Sequence, residues 1–287
     1  MEQISCLNFC DIMNYLNQEE ETIEAIIKNT AKKAGFEHVE RIYIGSYFCA
    51  QYFLHMDNIL FDDIVTQAKN MKIQVTLVIP VIPQKDLNTV LQKIQGYSEY
   101  FEDCLDEITV NDYGMLAYIH ENYDVRLNMG RLFMKDYRDP RYPAYFKTVL
   151  KPKIFTKYLI RLIEQYQIDG MEFDLTHVSI NFENKPKGIL IGVHTPFCYM
   201  TVGQICEYAS INKQIEKKFR PNQPCAKECQ ETIIRYDMQD GREWIRVGRA
   251  IYFDNKECEI EGISRYRAIY FPVEWEGFIN EDISSTK

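Results

Sequence analysis

Short runs of β-branched and apolar residues alternate with amphipathic stretches through the first two thirds of the chain. The clearest strand is residues 73–82, because its many Val and Ile residues and its prolines are typical of a buried strand that ends there. Apolar residues three or four positions apart predict helices, as at 19–34 and 59–71. The other predicted elements are strands at 4–9, 39–44, 107–110, 125–129, 170–175 and 188–193, and helices at 86–94, 115–121 and 154–165.

This alternation predicts an α/β fold with a parallel sheet, because parallel strands need crossover connections, which are usually helices. With seven or eight strand signals, a closed, TIM-like (β/α) barrel is the expected architecture. The chain has 287 residues, which suits a barrel, since such barrels commonly run to about 250 residues. A doubly wound open sheet is the alternative, but no Gly-rich phosphate loop follows the first strand to support it.

The composition changes near residue 195, which divides the chain into three parts. Residues 1–194 are expected to form the main body of the barrel. Residues 195–235 are rich in cysteine, basic and amide side chains and are expected to bind a metal centre. Residues 236–287 carry further β segments, which either close the barrel or form a small appended sheet.

Charge and cysteine content limit the possible functions. The net charge is −9, which argues against a large phosphate-binding surface and makes nucleic acid an unlikely partner. The sequence shows neither a signal peptide nor an apolar run long enough to span a bilayer, so a cytoplasmic protein is expected. In a reducing compartment the nine cysteines indicate metal binding or catalysis rather than disulfides.

Three late cysteines form the most specific motif. Cys225 and Cys229 have a C-x-x-x-C spacing, and Cys206 lies 19 residues before the first of them. Thiolates are soft ligands that suit iron–sulfur clusters or zinc. A [4Fe–4S] cluster is the expected cofactor, with zinc as the alternative.

A four-iron cluster needs a fourth ligand, and the sequence offers several. Cys49 is preferred because it follows a predicted strand, and sites in barrels gather where the strands end. Cys198 and Cys258 are the alternatives.

Several polar residues also fall at predicted strand ends and are candidates for catalysis. Glu172 and Asp174 share one face of a strand and have the chemistry for acid–base work. His194 ends another strand, where it has the chemistry to shuttle a proton or bind a carboxylate. Asp112 and Arg131 complete the set. A buried polar layer that serves only the core is the competing interpretation.

Four segments resemble one known family. IYIGSYFC resembles the family's early strand with its Gly and cysteine, EITVNDYGML its middle strand, and VRLNMGRL the strand after that. HTPFCYMTVGQIC followed by CAKEC resembles its late cysteine block. Over about residues 1–235 the chain thus resembles the collagenase-like peptidases of family U-32, and in architecture the single-domain ubiquinone-hydroxylation proteins UbiV and UbiU.

The resemblance implies a barrel with a cluster, an oxygen-independent hydroxylation or related modification of an aromatic small molecule, a peptide or RNA, and a second barrel protein as heterodimer partner. A homo-oligomer, a non-catalytic partner subunit, and a peptidase or zinc-dependent hydrolase are the alternatives. UbiV-like members imply Cys49, Cys206, Cys225 and Cys229 as ligands. UbiU-like members imply Cys198, Cys206, Cys225 and Cys258.

Overall fold

The computed structural model describes residues 2–17, 21–101, 103–134, 154–176, 178, 180, 182–211, 213–219, 225–230, 233–237, 243–256, 260 and 262–273. Within them the strands are β1 (Glu2–Asn8), β2 (Arg41–Gly45), β3 (Gln74–Ile79), β4 (Leu105–Val110), β5 (Arg126–Met129), β6 (Gly170–Asp174), β7 (Leu190–Thr195), β8 (Phe197–Val202), β9 (Ile234–Asp237), β10 (Glu243–Val247), β11 (Ala250–Asp254) and β12 (Arg265–Tyr270). The α-helices are α1 (Ile23–Lys33), α2 (Ala50–Leu54), α3 (Asn58–Asn70), α4 (Leu87–Tyr97), α5 (Tyr113–Asn122) and α6 (Lys157–Gln165).

Eight strands close a parallel barrel in the order β1, β2, β3, β4, β5, β6, β7, β12. The last strand pairs with β7 on one side and with β1 on the other, which completes the ring. The TIM-like barrel predicted from the sequence is therefore confirmed. All the barrel strands run in one direction, so their carboxyl ends form a single mouth, where barrel sites are usually built.

Helices begin where a side chain can satisfy the first free backbone N–H groups. Thr22 accepts from the N–H of Ala25 at the start of α1, and Thr156 caps α6 in the same way. The apolar face of α3 lies in the core through Phe61 and Ile64, as the 3.6-residue period requires. Among the residues that the structure describes, no helix has both the length and the apolar character needed to cross a bilayer.

A second, four-stranded antiparallel sheet is inserted between β7 and β12, in the order β8, β11, β10, β9. The sequence predicted β structure at 231–238 and 244–254, and these residues contain β9 and the hairpin of β10 and β11. The strand β8 was not predicted, because it lies within residues 195–235, which their cysteines indicated to be a metal-binding segment. The two alternatives for the C-terminal segments each describe a part of them: β12 closes the barrel, and the hairpin of β10 and β11 belongs to the added sheet.

A buried ion cluster lies inside the barrel, toward the amino ends of the strands. Glu107 on β4 accepts hydrogen bonds from both terminal nitrogens of Arg267, at 2.7 and 2.8 Å, and from Thr76 Oγ1 at 2.7 Å. Burial raises the pKa of Glu107, but the charges of Arg41 and Arg267 outweigh it and lower the pKa to about 2. This cluster ties four strands together at the end of the barrel opposite the mouth.

Candidate metal centre

Cys49 lies at the mouth of the barrel, four residues after the end of β2. It is the N-cap of α2, and its Sγ accepts a hydrogen bond of 3.4 Å from the N–H of Tyr52. The turn that leads to it begins at Gly45, whose φ is +118°. A Cβ there would lie 2.2 Å from the carbonyl oxygen of Val78, so the close approach of β2 and β3 requires glycine.

Asp11, just beyond the end of β1, stabilises the same turn through hydrogen bonds. Its carboxylate accepts hydrogen bonds from the hydroxyl of Ser46 and, at 3.2 Å, from the N–H of Tyr47. The Ser46 hydroxyl in turn accepts from the N–H of Cys49 at 2.9 Å. Burial raises the pKa of Asp11 to about 6. The position of Cys49 is therefore fixed by polar contacts to a neighbouring strand end.

The other cysteines reach the mouth on the inserted segment. Cys206 follows β8, and its carbonyl accepts from Ser210 Oγ at 3.1 Å. Cys229 lies in a 3-10 helix, Glu228–Gln230, which Asn14 holds to the barrel by donating to the carbonyl of Gln230 at 2.5 Å. Tyr52, one turn after Cys49, donates to Asn14 at 2.9 Å. One chain of hydrogen bonds thus joins the helix behind Cys49 to the segment of Cys229.

These segments bring four thiols into one pocket. We call it the thiol pocket, and its sulfur-bearing residues are Cys49, Cys206, Cys225 and Cys229. The pocket is also lined by aromatic, amide and charged side chains, among them Tyr52 and Arg249. The pocket therefore contains the three late cysteines and also Cys49, which the sequence analysis prefers as the fourth ligand.

The electrostatics of the thiols show that they are close neighbours. Burial raises the pKa of Cys229 well above its usual range, and negative charge on Cys49, Cys225 and Cys206 would raise it further. Burial likewise raises the pKa of Cys49 to about 11, although the positive charge of Arg249 opposes the rise. The pKa of Cys225 is also raised by burial. Cys49, Cys225 and Cys229 are therefore protonated at neutral pH in the metal-free chain, and a metal centre that bound them would displace protons.

The thiol pocket has soft sulfur donors. As the side chains stand, no group of three or more His, Cys, Asp or Glu residues within the described ranges could hold a metal ion. A four-iron cluster takes one thiolate at each iron, so its ligands surround a group of atoms rather than one point. Four soft thiols in one pocket have the chemistry that such a cluster requires.

A second group of polar residues lies inside the mouth, around Arg131. Its guanidinium is paired with Asp174, with Nε 3.0 Å from Oδ2, and neither side chain is exposed. Four aromatic rings surround this guanidinium, with centroids 5.2–5.7 Å from Cζ, and they belong to Tyr47, Phe48, Tyr199 and Tyr252. Arg131 Nη1 is buried and has no hydrogen-bond partner within the described part of the chain. Arg131 therefore organises the wall between the barrel interior and the inserted sheet.

Glu172 and His194 form the other polar pair of the interior. His194 Nε2 lies 3.1 Å from Glu172 Oε2, and Thr109 Oγ1 donates to the other carboxylate oxygen at 2.7 Å. Burial and the charge of Arg131 lower the pKa of His194, while Glu172 opposes the change. The ring of Tyr47 meets that of His194 edge-on at 5.1 Å. Because Tyr47 lies two residues before Cys49, the turn carrying it joins this pair to the thiol pocket.

Glu172 and Asp174 were predicted from their shared strand face to act as a pair, but each has its own partner on a different strand or loop. Asp112 is placed by the structure as the N-cap of α5, where its carboxylate accepts from the N–H groups of Met115 and Ile82.

Cys198 is fully buried on β8 and is not among the residues that line the thiol pocket. Cys258 lies outside the described residues, so its candidacy stays a prediction.

Asp11 and Arg249 take part in the site but were not predicted from the sequence. Asp11 follows β1, and the rule that polar residues at strand ends face the mouth would have found it. Arg249 lies in the turn between β10 and β11, and no sequence pattern relates that turn to the cysteines.

The chain has no match among family models, curated proteins or solved structures.

Proposed function

We propose that this chain is an iron–sulfur protein whose [4Fe–4S] cluster is held by the four thiols of the thiol pocket. The observation that supports this is the meeting of four soft ligands from three separate segments at the mouth of a barrel. Cys49 comes from the barrel itself, and the other three come from the insertion between β7 and β12. Thiolates are the usual ligands of such clusters.

We further propose that the protein takes part in an oxygen-independent hydroxylation, or a related modification, of an aromatic small molecule, a peptide or RNA. The resemblance to U-32 proteins suggests this class of reaction. A bound cluster would supply one-electron chemistry. The interior polar pair would supply proton transfer, because neutral His194 has a buried Nδ1 with no partner among the described residues and can accept a proton there. The net charge of −9 makes RNA the least favoured of these substrates.

A partner subunit is part of the proposal, either a second barrel protein of the same family or another copy of this chain. Ile215 and Phe219 follow Cys206 on the inserted segment and are 83% and 57% exposed. Large contiguous apolar patches mark contact surfaces, and these two side chains would contribute to one. Light scattering on the purified chain tests for self-association, and co-purification from cells tests for a second protein.

The cluster is tested by anaerobic purification followed by iron, sulfide and zinc analysis. We expect about four iron and four sulfide per chain, which is the content of one cubane cluster. Cys49→Ser and Cys225→Ser should lose most of this iron. Cys104→Ser is the matched control, since Cys104 is as buried as Cys49 but donates to the carbonyl of Val65, away from the pocket. One zinc per chain, or no metal at all, would contradict the proposal.

The fourth ligand is tested separately. Cys198→Ser should keep its iron, because Cys198 does not line the thiol pocket. Cys258→Ser completes the comparison. If either variant lost its iron while Cys49→Ser kept it, the proposed ligand set would be wrong.

The reaction class is tested in cells grown without oxygen, with and without the gene. Small aromatic metabolites, peptides and RNA are compared by mass spectrometry for products that differ by one oxygen atom. A product that disappears with the gene and is not restored by His194→Gln supports the proposal. Full restoration by His194→Gln would remove His194 from the mechanism.

A further inference from the structure

Arg249 is fixed at the edge of the thiol pocket by two contacts. It lies in the two-residue turn between Val247 and Ala250, which pair across the hairpin. Its carbonyl accepts from the N–H of Gly203 at 3.3 Å, and its Nη1 donates to Gln204 Oε1, also at 3.3 Å. Both contacts are to residues just before Cys206, so the hairpin and this cysteine's segment hold the guanidinium between them.

The guanidinium brings positive charge to the sulfurs. Arg249 lines the same pocket as Cys49 and Cys225, and its guanidinium carries a permanent positive charge. Its Nε is buried and has no hydrogen-bond partner among the described residues. A buried N–H of a charged group is costly to leave unpaired, so a partner is expected when the pocket is filled.

Other basic groups are less suited to this role. Lys227 also lines the pocket, but its side chain is exposed and its charge is screened by water. The imidazole of His55 lines it too, with Nδ1 directed to the carbonyl of Gln51 at 2.9 Å. Arg249 alone among these three combines a permanent charge with a buried, unpaired donor.

We propose that Arg249 is a charge-compensating residue of the metal centre, donating a hydrogen bond from Nε to a thiolate sulfur and holding the reduction potential of the cluster up. This inference rests on the proposed [4Fe–4S] cluster. Four thiolates give such a cluster a net negative charge, and reduction adds one more. A nearby positive charge and a hydrogen bond to sulfur both favour the reduced form, and both are known determinants of cluster potential.

The test is an anaerobic redox titration, followed by the electron paramagnetic resonance of the reduced cluster. Wild type is compared with Arg249→Gln, which removes the charge, and with Arg249→Lys, which keeps it. Arg265→Gln removes an equal charge at the opposite end of the barrel, where Arg265 is 59% exposed and paired with Glu2. All four proteins are checked for iron content and for fold by circular dichroism.

Arg249→Gln should keep its iron and shift the midpoint to more negative potential. At the wild-type midpoint we expect the ratio of reduced to oxidised cluster to fall about tenfold, which is 59 mV for one electron. Arg249→Lys should recover most of the shift, and Arg265→Gln should show none. Unchanged potential in iron-loaded Arg249→Gln would overturn this inference and leave the proposed cluster standing.

Three other outcomes are also decisive. If Arg249→Gln lost its iron while Arg249→Lys kept it, the need for charge at this position would be supported. If both variants lost iron equally, Arg249 would serve only to hold the hairpin, and the inference would be wrong. Wild-type protein without iron would overturn the proposed cluster and this inference together.

Discussion

Glu172 Oε2 lies 3.1 Å from His194 Nε2, across the neighbouring strands β6 and β7, and both side chains are enclosed by the barrel. A buried carboxylate beside an imidazole would ordinarily favour the charged imidazolium. Here burial and the charge of Arg131 prevail and lower the pKa of His194. The imidazole is therefore neutral at pH 7, as a proton acceptor must be.

The lowered pKa of His194 predicts how stability depends on pH. Below about pH 6.5 the unfolded chain takes up a proton on this imidazole, whereas the folded protein does not. The free energy of unfolding should therefore fall as the pH is lowered through this range. In His194→Gln this part of the dependence should be absent. Urea unfolding on both sides of pH 6.5 measures it, with the exposed His38→Gln as control. Identical curves for wild type and His194→Gln would contradict the prediction.

Removing the carboxylate of the buried ion cluster should destabilise the barrel strongly. Glu107→Gln leaves two buried guanidinium groups without their shared partner, and such losses cost about 3–5 kcal/mol. The control is Glu24→Gln, which breaks an exposed pair with Lys28 and should cost about 0.5 kcal/mol or less. Chemical denaturation compares the two variants. Equal effects would show that the cluster does not tie the strands together.

The turn before Cys49 should not tolerate a side chain at Gly45. Gly45→Ala combines a φ of +118° with a Cβ only 2.2 Å from the carbonyl of Val78. We expect a loss of about 1–3 kcal/mol and a lower iron content, because the strain displaces Cys49. Gly96→Ala is the control, since a Cβ there has no atom within 4 Å and lies in α4. It should be neutral or stabilising by about 0.5–1 kcal/mol.

The contact that holds the segment of Cys229 to the barrel can be removed by itself. Asn14→Ala deletes the amide that donates to the carbonyl of Gln230 and accepts from Tyr52. We expect a folded barrel with reduced iron content, because Cys229 is no longer held near Cys49. Asn58→Ala also loses side-chain hydrogen bonds, to Lys93 and Tyr97, but away from the pocket, and should keep its iron. Full iron in Asn14→Ala would show that the segment is held by other contacts.

Much of the barrel could be predicted from the chain because hydrophobic periodicity is local. The run at 73–82 contains β3, and the amphipathic stretch at 59–71 contains α3, each within a few residues. Cys49 was ranked first as the fourth ligand by one general rule, that sites in parallel barrels gather at the carboxyl ends of the strands. Its place in the thiol pocket agrees with that rule.

What could not be predicted depends on contacts between distant parts of the chain. Cys49 and Cys206 are separated by 157 residues, and closure of the ring through β12 and β1 brings the carboxyl end of β7, where the insertion begins, near the carboxyl end of β2. The same closure places Arg249 beside the sulfurs. Asp174 is paired with Arg131, which follows the neighbouring strand β5, rather than acting together with Glu172. The sequence by itself therefore determined the elements, the barrel and the candidate ligands, because each follows from residues near one another. The tertiary structure alone decided which charges face which thiols, because that depends on how the ring closes.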